Sequence, residues 1–123
     1  MKLVATSEII EKKSKFLGFY YQIDNASEVK DIINDLKDKH KKANHFVYAY
    51  KCGNTAGKTD DKEPSGSAGG QIYNLLELNN INNALIVVIR YFGGTKLGIG
   101  LLSRTYKNAA LETINKIKSR WLF

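Results

Sequence analysis

Apolar and polar positions follow two periods along this chain, and the switches between them mark out the elements. Leu3–Glu11 and Lys15–Ile23 carry the two-residue spacing of strands. In the second of these, Phe16, Gly18, Tyr20 and Gln22 alternate with Leu17, Phe19, Tyr21 and Ile23. Both sets are rather apolar, which predicts a strand covered on one face and partly covered on the other. The brevity of Lys12-Lys13-Ser14 makes the pair an antiparallel hairpin. The period then changes: Val29, Ile32, Ile33 and Leu36 recur at helical spacing, opposite Lys30, Asp31, Asn34, Asp35, Lys37 and Asp38. Asn25 and Glu28 have the spacing of a capping box, with Ser27 as the rival cap, and the basic run Lys37–Lys42 closes the helix against its dipole.

His45–Tyr50 is a strand with His45, Val47 and Ala49 on one face and Phe46, Tyr48 and Tyr50 on the other. Three aromatics on one face are either a packed sheet surface or a platform on which nucleic-acid bases stack. Gly53–Gly70 reads as a long polar loop, and Ile72, Leu75, Leu76 and Leu78 as a short helix that Asn79-Asn80 ends. The continuous branched run Ala84–Ile89 is the mark of a buried internal strand. A final helix starts around Gly98–Leu101, with a stripe of Leu102, Tyr106, Ala109, Ala110, Thr113, Ile114 and Ile117. The tail Lys118–Phe123 is expected to pack back or to offer Trp121 and Phe123 to a partner. Together these elements predict a single α/β domain over residues 1–123.

Composition narrows the setting. The chain has no apolar run of membrane-spanning length, and Glu8 and Glu11 precede any long apolar block, which argues against a secretory leader. The one cysteine, Cys52, makes no internal disulfide and no structural zinc site alone, so it is expected to be an inert packed thiol. A cytoplasmic location follows as the expectation. Nineteen Lys and Arg against twelve Asp and Glu give a formal charge of +7, which favours encounter with polyanions, although the lysines are spread widely.

Candidate chemistry lies in two glycine-rich loops, Thr59–Gly70 and Tyr91–Gly100. In the second, backbone N–H groups at a helix entrance near Gly98 and Gly100, with Lys96, Arg90 and Arg104, are suited to phosphate or carboxylate. The order of residues does not fit a Walker A loop, and the third glycine of a dinucleotide fingerprint is missing. The first loop offers Asp60, Asp61, Glu63, Ser65 and Ser67, with His45 upstream. As a hydrolase or metal-dependent enzyme it would need Ser65 or Ser67 beside His45 and an orienting carboxylate. No second histidine stands at ligand spacing from His45, so no metal site or cofactor is expected. The other reading pairs the acidic loop with Arg90, Lys96 or Arg104, and gives at least one carboxylate a structural role.

The stretches Asp60-Asp-Lys-Glu-Pro-Ser-Gly-Ser-Ala-Gly69 and Arg90-Tyr-Phe-Gly-Gly-Thr-Lys-Leu-Gly98, then Gly100-Leu-Leu-Ser-Arg-Thr-Tyr106, resemble the signatures of the IMPACT/YigZ family. Lys15-Phe16, Ala43-Asn-His45 and Tyr48-Ala49 fall in the matching earlier places. The resemblance implies an α+β, two-layer domain of the ribosomal-protein-S5-domain-2-like type. Its sheet would be mixed and about four-stranded, with the helices around Ile32 and Ala109 on one face. It implies only the family's N-terminal domain, without the smaller C-terminal domain common in bacterial relatives. It also implies a non-enzymatic regulatory role, with RNA or a translation-associated protein as partner; a protein–protein interaction domain is the further alternative. Two departures stand out. Lys62 replaces the family's glycine in Asp-Asp-Gly-Glu-Pro, and Leu101 replaces a glycine, where its bulk is expected to narrow ligand approach.

Overall fold

The computed structural model of the chain describes residues 1–121, the last of them by its backbone alone. The contact role expected of the Trp121 and Phe123 side chains therefore lies outside the described residues. Strands β1 (Lys2–Glu11) and β2 (Ser14–Gln22) form the expected hairpin. Its two-residue loop holds Lys12 at φ 45° and Lys13 at φ 68°, the left-handed pair that matches the twist of adjoining strands. Helix α1 (Glu28–Lys39) follows. Ser27 is its N-cap residue but makes no side-chain capping bond. Glu28 reaches back instead, accepting from the N–H groups of Asp24 and Asn25 at 2.7 and 3.0 Å.

Strand β3 (His45–Cys52) turns at Gly53, φ 60°, into strand β4 (Thr55–Thr59). Residues 55–59 therefore belong to the sheet and not to the loop expected over Gly53–Gly70. Helix α2 (Gly69–Leu78), strand β5 (Ala84–Tyr91) and helix α3 (Ile99–Trp121) complete the chain. Helix α3 runs on through residues 118–121, which were expected to be a tail, and Arg120 donates to the Val4 carbonyl at 2.9 Å.

The sheet order is β1-β2-β5-β3-β4, and every neighbouring pair is antiparallel. The α+β class holds, with five strands among the described residues where about four were expected, and with no parallel pair among them. The placement of the helices also differs from expectation. Alternate residues of β5 enter two separate cores: Ile86 and Val88 pack with α2 and α3, whereas Leu85, Val87 and Ile89 pack with α1. Helix α1 therefore lies on the face opposite α3 instead of sharing one with it. Two-sided cover explains the unbroken apolar run of β5 and the apolar character of both faces of β2.

Candidate functional site

The site grows from one row of residues across the sheet. Phe16 of β2 stands opposite Arg90 of β5, which stands opposite His45 of β3. Arg90 continues the Ile86, Val88 alternation, so its side chain enters the α3 side of the sheet, where only 5% of the residue is exposed. There the guanidinium lies over Phe16, with its carbon 5.4 Å from the ring centroid, and 5.5 Å from that of Phe92. A buried guanidinium needs an anion and further hydrogen bonds. The anion is Glu63, carried in by a turn in which the Glu63 N–H donates to the Asp60 carbonyl at 3.0 Å.

Arg90 Nη1 donates to Glu63 Oε2 at 2.8 Å, and the Tyr106 hydroxyl of α3 donates to the same oxygen. Burial first, and then this bond, push the Tyr106 hydroxyl far above the ordinary phenol range, so it remains a donor. Arg90 Nη2 reaches Ser14 Oγ at 3.4 Å, and that oxygen also accepts the Gly93 N–H at 3.2 Å. Arg90 Nε is buried without a partner among the described residues. Glu63 Oε1 faces His45 Nε2 at 3.5 Å. His45 Nδ1 lies 2.8 Å from the Asp61 carbonyl, which only accepts, so Nδ1 carries the hydrogen. Glu63 thus gives Oε2 to a cation and a phenol, while Oε1 faces His45 at the cleft.

Above this network opens a cleft of about 450 Å³, which joins the two glycine-rich loops. His45, Glu63, Pro64 and Arg90 line one side, and Phe92, Lys96, Leu97, Gly98, Ile99 and Leu102 the other. Phe92 and Ile99 leave 46% and 62% of their surface exposed at its mouth. Lys96 is exposed beside the first turn of α3. Arg104 does not line the cleft; it is exposed and folds back along the helix, so that a Cβ on Gly100 would lie 3.5 Å from its Nη1. Arg90 and Arg104, paired in the sequence reading, therefore separate into a buried ion pair and a free surface cation. Leu101 packs against the core under α3 and is not part of the cleft lining, so it does not narrow the approach.

The remaining candidates divide in the same way. Asp60 accepts from the N–H groups of Gly66, Ala68 and Gly69 at 2.9, 3.2 and 2.8 Å, closing the loop onto the start of α2. Burial alone would raise its carboxyl, but these three donors, with Lys58 nearby, outweigh that and hold it below the usual carboxylate range. Asp61 accepts the Phe46 N–H at 2.6 Å and faces the opposite side of the sheet. Ser67 is buried, with its hydroxyl donating to the Pro64 carbonyl at 2.6 Å. Ser65 lines a separate depression with Lys58, Asp60 and Gly66. The structure brings neither serine to His45, and among the described residues no three His, Cys, Asp or Glu side chains gather as metal ligands. Cys52 is half-buried, its Sγ 3.6 Å from Asn83 Oδ1.

Tyr106 and Ser14 complete the network, yet the sequence reading placed them in a core stripe and a turn. The signal for Tyr106 was its hydroxyl: a phenol in an otherwise apolar stripe needs a polar partner inside the fold. Phe92 and Ile99 carried only the weaker signal of apolar residues within a glycine-rich loop.

Comparison with known proteins supplies the family. IMPACT family member YvyE of Bacillus subtilis is 34% identical over 120 residues, which cover 95% of this chain and 55% of YvyE. A crystal structure of a hypothetical protein superposes with a TM-score of 0.87 at 28% identity, covering 90% of this chain and 56% of the other. The two-domain translational regulator Yih1 shares the fold, with a TM-score of 0.58 at 24% identity over 90% of this chain and 46% of Yih1. The chain thus spans about half the length of the relatives it matches. No helix among the described residues is long and apolar enough to cross a membrane. Residues 12–114 match the Impact N-terminal domain, and the chain belongs to that family.

Proposed function

We propose that this chain is a non-enzymatic binding domain with a regulatory role in translation in the cytoplasm, and that it meets RNA phosphate at the amino-terminal entrance of α3. The observation that carries this reading is a pair of exposed cations at the start of α3, beside a cleft whose buried arginine is already neutralised. Glu63 balances Arg90 within the fold, whereas Lys96 and Arg104 stay exposed beside the first turn of α3. Helix-start N–H groups and the helix dipole add to the same field. Yih1, a relative in fold, is a two-domain translational regulator, which supports the translational setting. Glu63 Oε2 taken up by Arg90 and Tyr106, and Ser67 bonded back to the Pro64 carbonyl, support binding over catalysis.

The test is a titration with structured RNA at about 0.15 M salt, where non-specific attraction is weakened. Saturable binding is expected, and Lys96→Ala with Arg104→Ala should weaken it at least about fivefold and flatten its salt dependence. These exposed cations are the right probes, because removing Arg90 would unbalance Glu63 and disturb the fold. Binding seen only at very low salt, and indifferent to both substitutions, would count against the reading.

A further inference from the structure

Helix α1 does not fill the sheet face that it covers. Between it and the β3–β4 edge lies an open groove of about 530 Å³. Its floor is the aromatic face of β3. Phe46 is buried there, but Tyr48 and Tyr50 are only half-buried, with ring centroids 6.4 Å apart and planes tilted by 34°. The neighbouring strand is shaped for this floor. Gly57 pairs with Tyr50 across β3 and β4, and a Cβ at Gly57 would lie 2.5 Å from Tyr50 Cε1 and 2.8 Å from Cζ. Any side chain at that position would displace the ring.

The wall of the groove is charged. Lys30 and Lys37 line it from α1, two helical turns and about 10 Å apart along the axis, and both are exposed. The Nζ of Lys37 stands 5.8 Å from the Phe46 ring centroid, so the cation already leans over the aromatic floor. At the far end Asp61 accepts the Phe46 N–H through Oδ2. Asp61 lines the groove, as does Asn34, and its Oδ1 takes no hydrogen bond from the described residues.

We propose that this groove binds single-stranded RNA, with a base stacked on Tyr48 and Tyr50 and the flanking phosphates held by Lys30 and Lys37. Aromatic rings accept any base through its face, and lysines beside them neutralise the backbone, the combination that single strands require. The free oxygen of Asp61 accepts from an exocyclic amino group, which favours cytosine over uracil among bases of equal size. A duplex keeps its bases stacked on one another and cannot use the floor. The inference extends the RNA reading to a second surface and does not depend on the α3 entrance.

The experiment is an anisotropy titration of the whole chain with fluorescein-labelled octamers (rC)8 and (rU)8 at about 0.15 M salt. (rC)8 should bind saturably, more tightly than (rU)8, and more tightly than an RNA duplex of the same length. Tyr48→Leu and Tyr50→Leu should each weaken it about tenfold, the scale of one lost base–aromatic stack. Lys30→Ala with Lys37→Ala, both on the exposed helix face, should weaken it and lower the salt slope without moving the melting temperature. This pair keeps the test decisive if a tyrosine variant fails to fold. In a background carrying Lys96→Ala and Arg104→Ala, which removes any phosphate binding at the α3 entrance, the tyrosine substitutions and the Lys30, Lys37 pair should weaken (rC)8 binding by the same factors, which separates this groove from that entrance. Equal affinity for the duplex, or indifference to the lysine pair, would overturn the groove; equal affinity for (rU)8 would overturn the role of Asp61.

Discussion

Lys62 occupies a left-handed position, φ 70°, immediately after Asp61 at φ 43°. In the family signature a glycine fills this place, and here a lysine takes the glycine-like angle in the turn that delivers Glu63. A side chain at such an angle is strained, so Lys62→Gly should stabilise the fold by about 0.5–1 kcal/mol in urea unfolding. Glu63 is the opposite case. Glu63→Ala should lower stability by about 3–5 kcal/mol, because it leaves Arg90 charged and buried without its anion. Tyr106→Phe removes one donor and keeps the ion pair, so a loss nearer 1.5–3 kcal/mol is expected in the same measurement. The pairing of an acidic-loop carboxylate with an arginine could be read from charge and loop chemistry. That the carboxylate was Glu63 and not Asp60 or Asp61 could not, because all three fall within four residues and only the turn decides which one points inward.

At the scale of elements, Asp60 ties a loop to a helix. Its carboxyl is held below the usual range, so the stability it contributes is fully present above its unfolded value of 3.8 and is lost as pH falls through the lower folded value. Replacing it with asparagine should cost about 1 kcal/mol near neutral pH and flatten the acid limb of a stability–pH curve measured by denaturant titration. Periodicity revealed seven of the eight elements, since each of those seven had an apolar face to display. Strand β4 was hidden because Thr-Ala-Gly-Lys-Thr puts little apolar surface into either core and borrows its order from β3. The position of α1 was half visible. Two apolar faces on β2 called for cover on both sides, but nothing in a linear pattern assigns a given helix to a given face.

Over the whole molecule, the charge of +7 is not gathered into one field. The two surfaces that combine cations with shape, the α3 entrance and the α1 groove, lie on opposite sides of the sheet, and the turn Asp60–Glu63 reaches both. That turn sends Asp61 to one and Glu63 to the other. A change in the turn should therefore alter both surfaces together, and Lys62→Gly, which relieves the left-handed strain and loosens this backbone, should test this as well: backbone amide shifts in its NMR spectrum are expected at Phe46 and at Arg90, with little change at β1.

Strand β5 pairs with β2 on one side and β3 on the other, while β2 and β3 do not touch. It is also the last of these five strands to leave the ribosome. Until residues 84–91 emerge, the growing chain holds two unconnected hairpins, each with a bare apolar flank and no partner along its inner edge. Sheet assembly is thus deferred until residue 91 has been made, and must then proceed by insertion, a topology of distant contacts that folds slowly. A chain ending at Asn82 should show no cooperative thermal transition by circular dichroism, although four of the five strands are present in it.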